Sequence, residues 1–162
     1  MKHFLALTLI FLSLPLVACT DPQATGTLPA VTTLDEVTAA LSEIEFRSEW
    51  IDHRQAASET WSRKQGDCED YAVLASELLM QLGIEGYRLD VYCIGKYKQY
   101  SHSVCVFRDQ DLTGGAWWYW SNAILRKTEL TNIEDMPARV RHESWIRSWK
   151  LLDGEGRIVQ SG

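Results

Sequence analysis

The sequence predicts an α+β domain in which N-terminal helices pack on an antiparallel β-sheet. Three observations carry that prediction. Apolar residues from Leu34 to Leu82 recur mainly at helical spacing, whereas those from Leu89 to Val106 alternate with a period of two. The helical segments come first and the strands follow, an order that fits an α+β chain. Of 162 residues, 46% are hydrophobic and 23% charged, with four prolines, ten glycines and seven tryptophans. That composition excludes a collagen-like or disordered chain and supplies one core.

The first segment reads as an address. Lys2 precedes an apolar run from Phe4 to Val17, and the chain turns polar at Thr20-Asp21-Pro22. The run is short for a bilayer span, so residues 1–18 are expected to be a secretory signal. Leu16-Val17-Ala18-Cys19 resembles the lipobox of bacterial lipoproteins. That resemblance implies cleavage before Cys19 and a diacylglycerol on its sulfur. It also implies a cell-envelope location, with Thr20 favouring the periplasmic face of the outer membrane. Residues 19–32 would then be the lipidated cysteine and a flexible tether, small and polar with two prolines and a glycine. The folded domain is expected over residues 33–162.

Thr33-Leu34-Asp35-Glu36 is a capping box opening a helix whose apolar face is Val37, Ala40, Leu41 and Ile44. A second helix is expected from about Ser48 to Arg63, packing through Trp50, Ile51, Ala57 and Trp61. The clearest helix runs from Asp67 to Leu82, with an apolar stripe of Tyr71, Leu74, Ala75, Leu78, Leu79 and Leu82 and Gly83 behind it as a stop. Strands follow at Leu89–Cys93, His102–Val106 and Trp117–Trp120. A last hairpin joins Trp145–Leu152 to Arg157–Val159 across Asp153-Gly154-Glu155-Gly156.

Cys68 falls in the first turn of the best helix, where unpaired N–H groups and the macrodipole favour a thiolate. The dipole contributes only about 0.3–1 kcal/mol, and Glu69 and Asp70 oppose it. A strong nucleophile there needs a basic partner that also carries protons, and histidine is that residue. His102 lies within a well-patterned strand, whereas His3 sits in the signal and His53 and His142 in charged stretches. Asn122, just past the Trp117–Trp120 strand, would neighbour the His102 strand in a simple meander and could orient the imidazole. The Cys68 N–H is the expected oxyanion donor, with Gln65 and Trp61 as candidates for a second.

Gly66-Asp67-Cys68-Glu69-Asp70-Tyr71-Ala72, with Leu78-Leu79 and Leu82-Gly83-Ile84 behind it, resembles the transglutaminase-like superfamily, including its bacterial cysteine peptidases. The resemblance runs from about Trp61 to Asn122. It implies a papain/transglutaminase-like core, Cys68 as nucleophile and His102 as general base. Trp118-Tyr119-Trp120-Ser121-Asn122 falls where that family carries Trp-Tyr-x-x-Asp, so Asn122 stands where an acid is commoner. The expected activity is amide hydrolysis or acyl transfer on a protein or peptide substrate. Two other readings stay open: a catalytically weak binding module with the same cleft, and a cell-wall peptidase of the NlpC/P60 kind, whose usual Asp-Cys-Ser-Gly is absent.

A net charge of −6 argues against a nucleic-acid partner held by phosphate contacts. No phosphate loop or dinucleotide fingerprint is present. Cys68, Cys93 and Cys105 lack the Cys-x-x-Cys spacing of a zinc site. No cofactor or metal is expected. Cys93 and Cys105 could form a cross-strand disulfide if the turn between their strands centres near Gln99.

Overall fold

The computed structural model describes residues 26–48, 55–95, 99–141 and 145–162. The expected signal, Cys19, the first part of the tether up to residue 25, Trp50, Ile51, His53 and His142 lie outside those residues.

Helix α1 (Leu34–Ser42) opens with the capping box read from its sequence. Thr33 Oγ1 accepts the Glu36 N–H at 3.2 Å, and Glu36 accepts the Thr33 N–H at 3.1 Å. Helix α2 (Ala57–Arg63) is shorter than expected. Gln55 and Ala56 are extended ahead of it, and Lys64 ends it with a φ of 54° in the left-handed region. Its poor apolar periodicity was the sign of a short helix. Two brief parallel strands, β1 (Glu45–Phe46) and β2 (Gln65–Gly66), tie the exit of α1 to the entry of helix α3 (Cys68–Gln81). Neither strand has a sequence pattern long enough to read. Across this junction the buried Tyr71 hydroxyl donates to the Ile44 carbonyl.

The main sheet contains β3 (Gly86–Ile94), β4 (Gln99–Phe107), β5 (Trp118–Ser121), β6 (Ile124–Arg126), β7 (Trp145–Leu152) and β8 (Ile158–Ser161). Every pairing is antiparallel, in the order β6-β5-β4-β3-β7-β8. Two short helices, α4 (Gln110–Thr113) and α5 (Met136–Val140), and the strand β6 lie where the sequence showed no regular pattern.

The sheet separates two cores. On one face, Cys105, Phe107 and Trp120 pack with Leu74, Leu78 and Leu79 of α3 and with Val37 and Leu41 of α1. On the other, Leu89, Val91, Val104 and Val106 meet Trp117, Trp149, Met136 and Val140. Strand alternation explains the split, since successive residues of β4 project to opposite faces. Helix α3 has a fixed direction over the sheet, because Ser76 Oγ donates to the Gly86 carbonyl at 2.8 Å near the helix's far end.

The possible disulfide does not form: Cys68, Cys93 and Cys105 are all free. Cys93 pairs with Tyr100, and Cys105 pairs with Arg88. The turn therefore centres between Ile94 and Gln99 rather than at Gln99, and the two cysteines belong to different cores. Alkylation of the unfolded, unreduced protein is expected to modify Cys93 and Cys105 separately. A reductant-dependent melting temperature would contradict this register.

Candidate active site

The start of α3 is built around one buried carboxylate. Asp67 caps the helix, its Oδ1 accepting the N–H groups of Glu69 at 3.0 Å and Asp70 at 3.3 Å. Asp70 returns the bond, accepting the Asp67 N–H at 3.1 Å. Its side chain also accepts the Gln55 N–H at 3.0 Å and the Gln55 amide Nε2 at 2.9 Å, and the residue is 1% exposed. Gly66 allows this arrangement, because a Cβ there would stand 2.7 Å from Asp70 Cβ. The Gly-Asp-Cys-Glu-Asp run is thus a mechanical unit. From the sequence, Asp70 seemed only a charge suited to a helix end.

These bonds expose the chemistry of Cys68, the first residue of α3. The carboxylates engage the N–H groups of Asp67, Glu69 and Asp70, and neither engages that of Cys68. That amide suits an oxyanion. Gln65 Oε1 accepts from Arg47 Nη1 at 2.8 Å, and Trp61 carries Lys64 over its ring.

The half-buried Cys68 thiol lies against Ser103, the residue after His102. Burial pushes the thiol's pKa up, and Asp67 and Asp90 push it further; the Ser103 N–H and hydroxyl pull it down. Pairing of β4 with β5 stops at Cys105 and Trp120. The edge of β4 around Ser103 is therefore not covered by β5, and there the Ser103 amide serves the sulfur. The hydroxyl contributes less than the amide. It also donates to Asp90 Oδ1 at 2.7 Å, so its proton is shared between the carboxylate and the sulfur. Asp90 in turn meets Arg88, whose Nε lies 3.1 Å from Asp90 Oδ1 and whose Nη1 lies 3.3 Å from Glu69 Oε1. These two contacts are charge pairs without hydrogen-bond alignment, whereas Arg88 Nη2 donates to Asp90 Oδ2 at 3.1 Å.

His102 occupies β4 opposite Val91. Its Nε2 shares a hydrogen bond with Ser121 Oγ at 2.9 Å. The contact made at this nitrogen is thus with the last residue of β5, one before the expected Asn122. Asn122 forms the corner between β5 and β6, with φ at 52°. Its Oδ1 is buried without a hydrogen-bond partner among the described residues. Strand parity could have found Ser121, because it shares a face with Tyr119, whose partner Val106 shares one with His102. Among the described residues, no group of histidines, cysteines and carboxylates could hold a metal ion.

The model of a family described as a transglutaminase-like domain matches residues 28–110 of the chain. No curated protein matches it. Among solved structures, calcium-bound LapG from Legionella pneumophila is similar at 16% identity, over 76% of this chain and 68% of that one, with a TM-score of 0.49.

Two outcomes test the site's construction. Asp70→Ala would orphan three buried donors and is expected to cost about 1–3 kcal/mol or more of stability, read by urea denaturation. Asp90→Asn removes a charge that raises the Cys68 pKa, so the pH midpoint of Cys68 alkylation should fall; an unchanged or higher midpoint would contradict the role given to Asp90.

Proposed function

Since the chain belongs to the transglutaminase-like domain family, we propose that it is a thiol-dependent amide hydrolase or acyl-transferase of the cysteine-peptidase type. The observation that carries this reading is the meeting of two elements. A doubly capped helix start presents Cys68 against β4 at Ser103, and the adjacent residue of that strand is a histidine held through Nε2.

In the tautomer whose Nε2–H donates to Ser121 Oγ, the basic lone pair of His102 is on Nδ1. His102 takes the proton from Cys68 as the sulfur attacks an amide carbonyl. The oxygen gains negative charge and is met by the Cys68 N–H. The C–N bond then breaks, the imidazolium gives its proton to the leaving amine, and an acyl-enzyme thioester remains. Water attacks that thioester with His102 again as base, restoring the thiol; an amine in place of water would give transamidation. Hydrolysis is favoured where water is in excess. We assign the orienting role to Ser121 and not to the expected Asn122, whose left-handed corner ends β5 at Ser121.

A hydroxyl orients the imidazole but, being donor as well as acceptor, selects its tautomer and stabilises its cation less than a carboxylate does. Together with the raised Cys68 pKa, this makes proton transfer concurrent with attack instead of a standing thiolate–imidazolium pair. The same two features favour one alternative, a binding module with little turnover. The proposal includes the address: a signal over residues 1–18, a lipid on Cys19 and a cell-envelope location, supported by the sequence pattern. Among the described residues, no helix is long and apolar enough to cross a membrane.

An electrophilic peptide probe followed by mass spectrometry separates the two readings. Rapid labelling at Cys68, lost in Cys68→Ala and reduced about 10²–10⁴-fold in His102→Ala, is expected for the enzyme. Ser121→Ala should slow labelling roughly five-fold, the value of one hydrogen bond, and Ser121→Asp should accelerate it. Labelling indifferent to His102 would favour the binding module.

A further inference from the structure

The face of the sheet that carries α3 is not covered along its whole length. Helix α3 starts over the row formed by Ser103, Asp90 and Lys150 on β4, β3 and β7, and it runs toward Gly86. Past the helix start, the next row on the same face is Ser101, Tyr92 and Ser148. Gln99 and Arg147 lie beyond, joined at 3.3 Å. These residues line an open cleft of about 530 Å³. Rows on one face are two residues apart, about 7 Å, so the cleft opens one step from the residue against which Cys68 lies.

The described lining of the cleft has a charge of one sign. Lys150 and Arg147 both line it, and among the described residues none of the lining is acidic. This is unexpected for a chain of net charge −6. Lys150 Nζ stands 5.7 Å from the Tyr92 ring centroid, which leaves the ammonium on the cleft side of the aromatic face. The carboxylates nearest the thiol are turned inward. Asp67 and Asp70 bond the amides of the helix start, and Asp90 is held by Ser103 and Arg88.

We propose that this cleft receives the peptide substrate and selects an acidic side chain, whose carboxylate meets Lys150 and Arg147. Lys150 lies in the Ser103 row two strands away, about 10 Å across the sheet. An extended peptide spans that in about three residues, so the acidic position is two or three residues from the cleaved bond. The inference rests on the catalytic reading for its substrate, yet the binding it describes can be measured without turnover.

The test uses the full chain carrying Cys68→Ala and capped hexapeptides that alternate alanine with glutamate, glutamine or lysine. Titration calorimetry at low salt is expected to show the glutamate peptide binding about five- to ten-fold more tightly than the glutamine peptide, with the lysine peptide weakest. Replacing both Arg147 and Lys150 by alanine should remove the preference, and replacing both by glutamate should invert it. Equal affinity for the three peptides, or a preference unchanged in the double variants, would overturn the proposal. So would a glutamine peptide with a free C-terminus that binds as well as the glutamate peptide, because the ligand would then be a terminal carboxylate. A glutamate preference in a protein whose Cys68 resists every electrophilic probe would uphold the cleft and refute the catalysis. A reactive Cys68 without the preference would do the reverse.

Discussion

The buried carboxylate of Asp70 is the constraint on which the site depends. It is bonded by the Asp67 N–H and by both the backbone and the side chain of Gln55, so it locks the helix start to the segment that precedes α2. Gly66 is obligatory because the carboxylate's own Cβ occupies the space where another side chain would go. With the first turn of α3 fixed in this way, the position of the Cys68 backbone beside β4 is set by the helix start. A nucleophile on a loop would lack that precision.

The same construction limits how the thiol can be activated. The helix end favours a thiolate by less than one pKa unit. Burial outweighs it, and two of the carboxylates that build or brace the helix start, Asp67 and Asp90, add to the burial. Under the proposed chemistry, structural need and catalytic need conflict at this turn: the groups that hold Cys68 in place also hold its proton. The conflict is resolved if the proton leaves only when attack begins, which asks for a neutral, correctly oriented imidazole and not a permanent cation. A serine hydroxyl at Nε2 is adequate for that task, where a carboxylate would also stabilise the imidazolium.

The order of helices and strands, α1 with its capping box, α3 with its stripe, and the place of Cys68 at a helix start and of His102 on a strand could all be read from the sequence. Each rests on local periodicity or on side-chain chemistry at a known position of an element. What could not be read depends on register. Whether Cys93 meets Cys105 is decided by where the β3–β4 turn centres, and a shift of two or three residues there separates them. Whether Ser121 or Asn122 meets His102 is decided by where β5 ends, which a left-handed corner at Asn122 fixes. The β1–β2 pair and β6 are two and three residues long, too short for alternation to register. Asp70 was visible, but its role was not, because its partner Gln55 lies 15 residues away in sequence.

Net charge alone does not describe the surface beside the thiol, and the reason is spatial. A chain with six excess negative charges suggests a basic or neutral ligand, but only if the charges face it. Here the acidic groups closest to the thiol are spent on backbone amides, on a serine hydroxyl and on Arg88, all beneath the helix start. Such carboxylates are compensated locally, and their field at the cleft is reduced accordingly. Lys150 and Arg147 are on solvent-facing positions of β7 without an acidic neighbour among the described residues of the cleft lining. If a peptide enters the cleft as proposed, the nearest charges it meets among the described residues are these two cations, and the overall balance of the chain governs the longer-range approach, beyond about one Debye length of 8–10 Å.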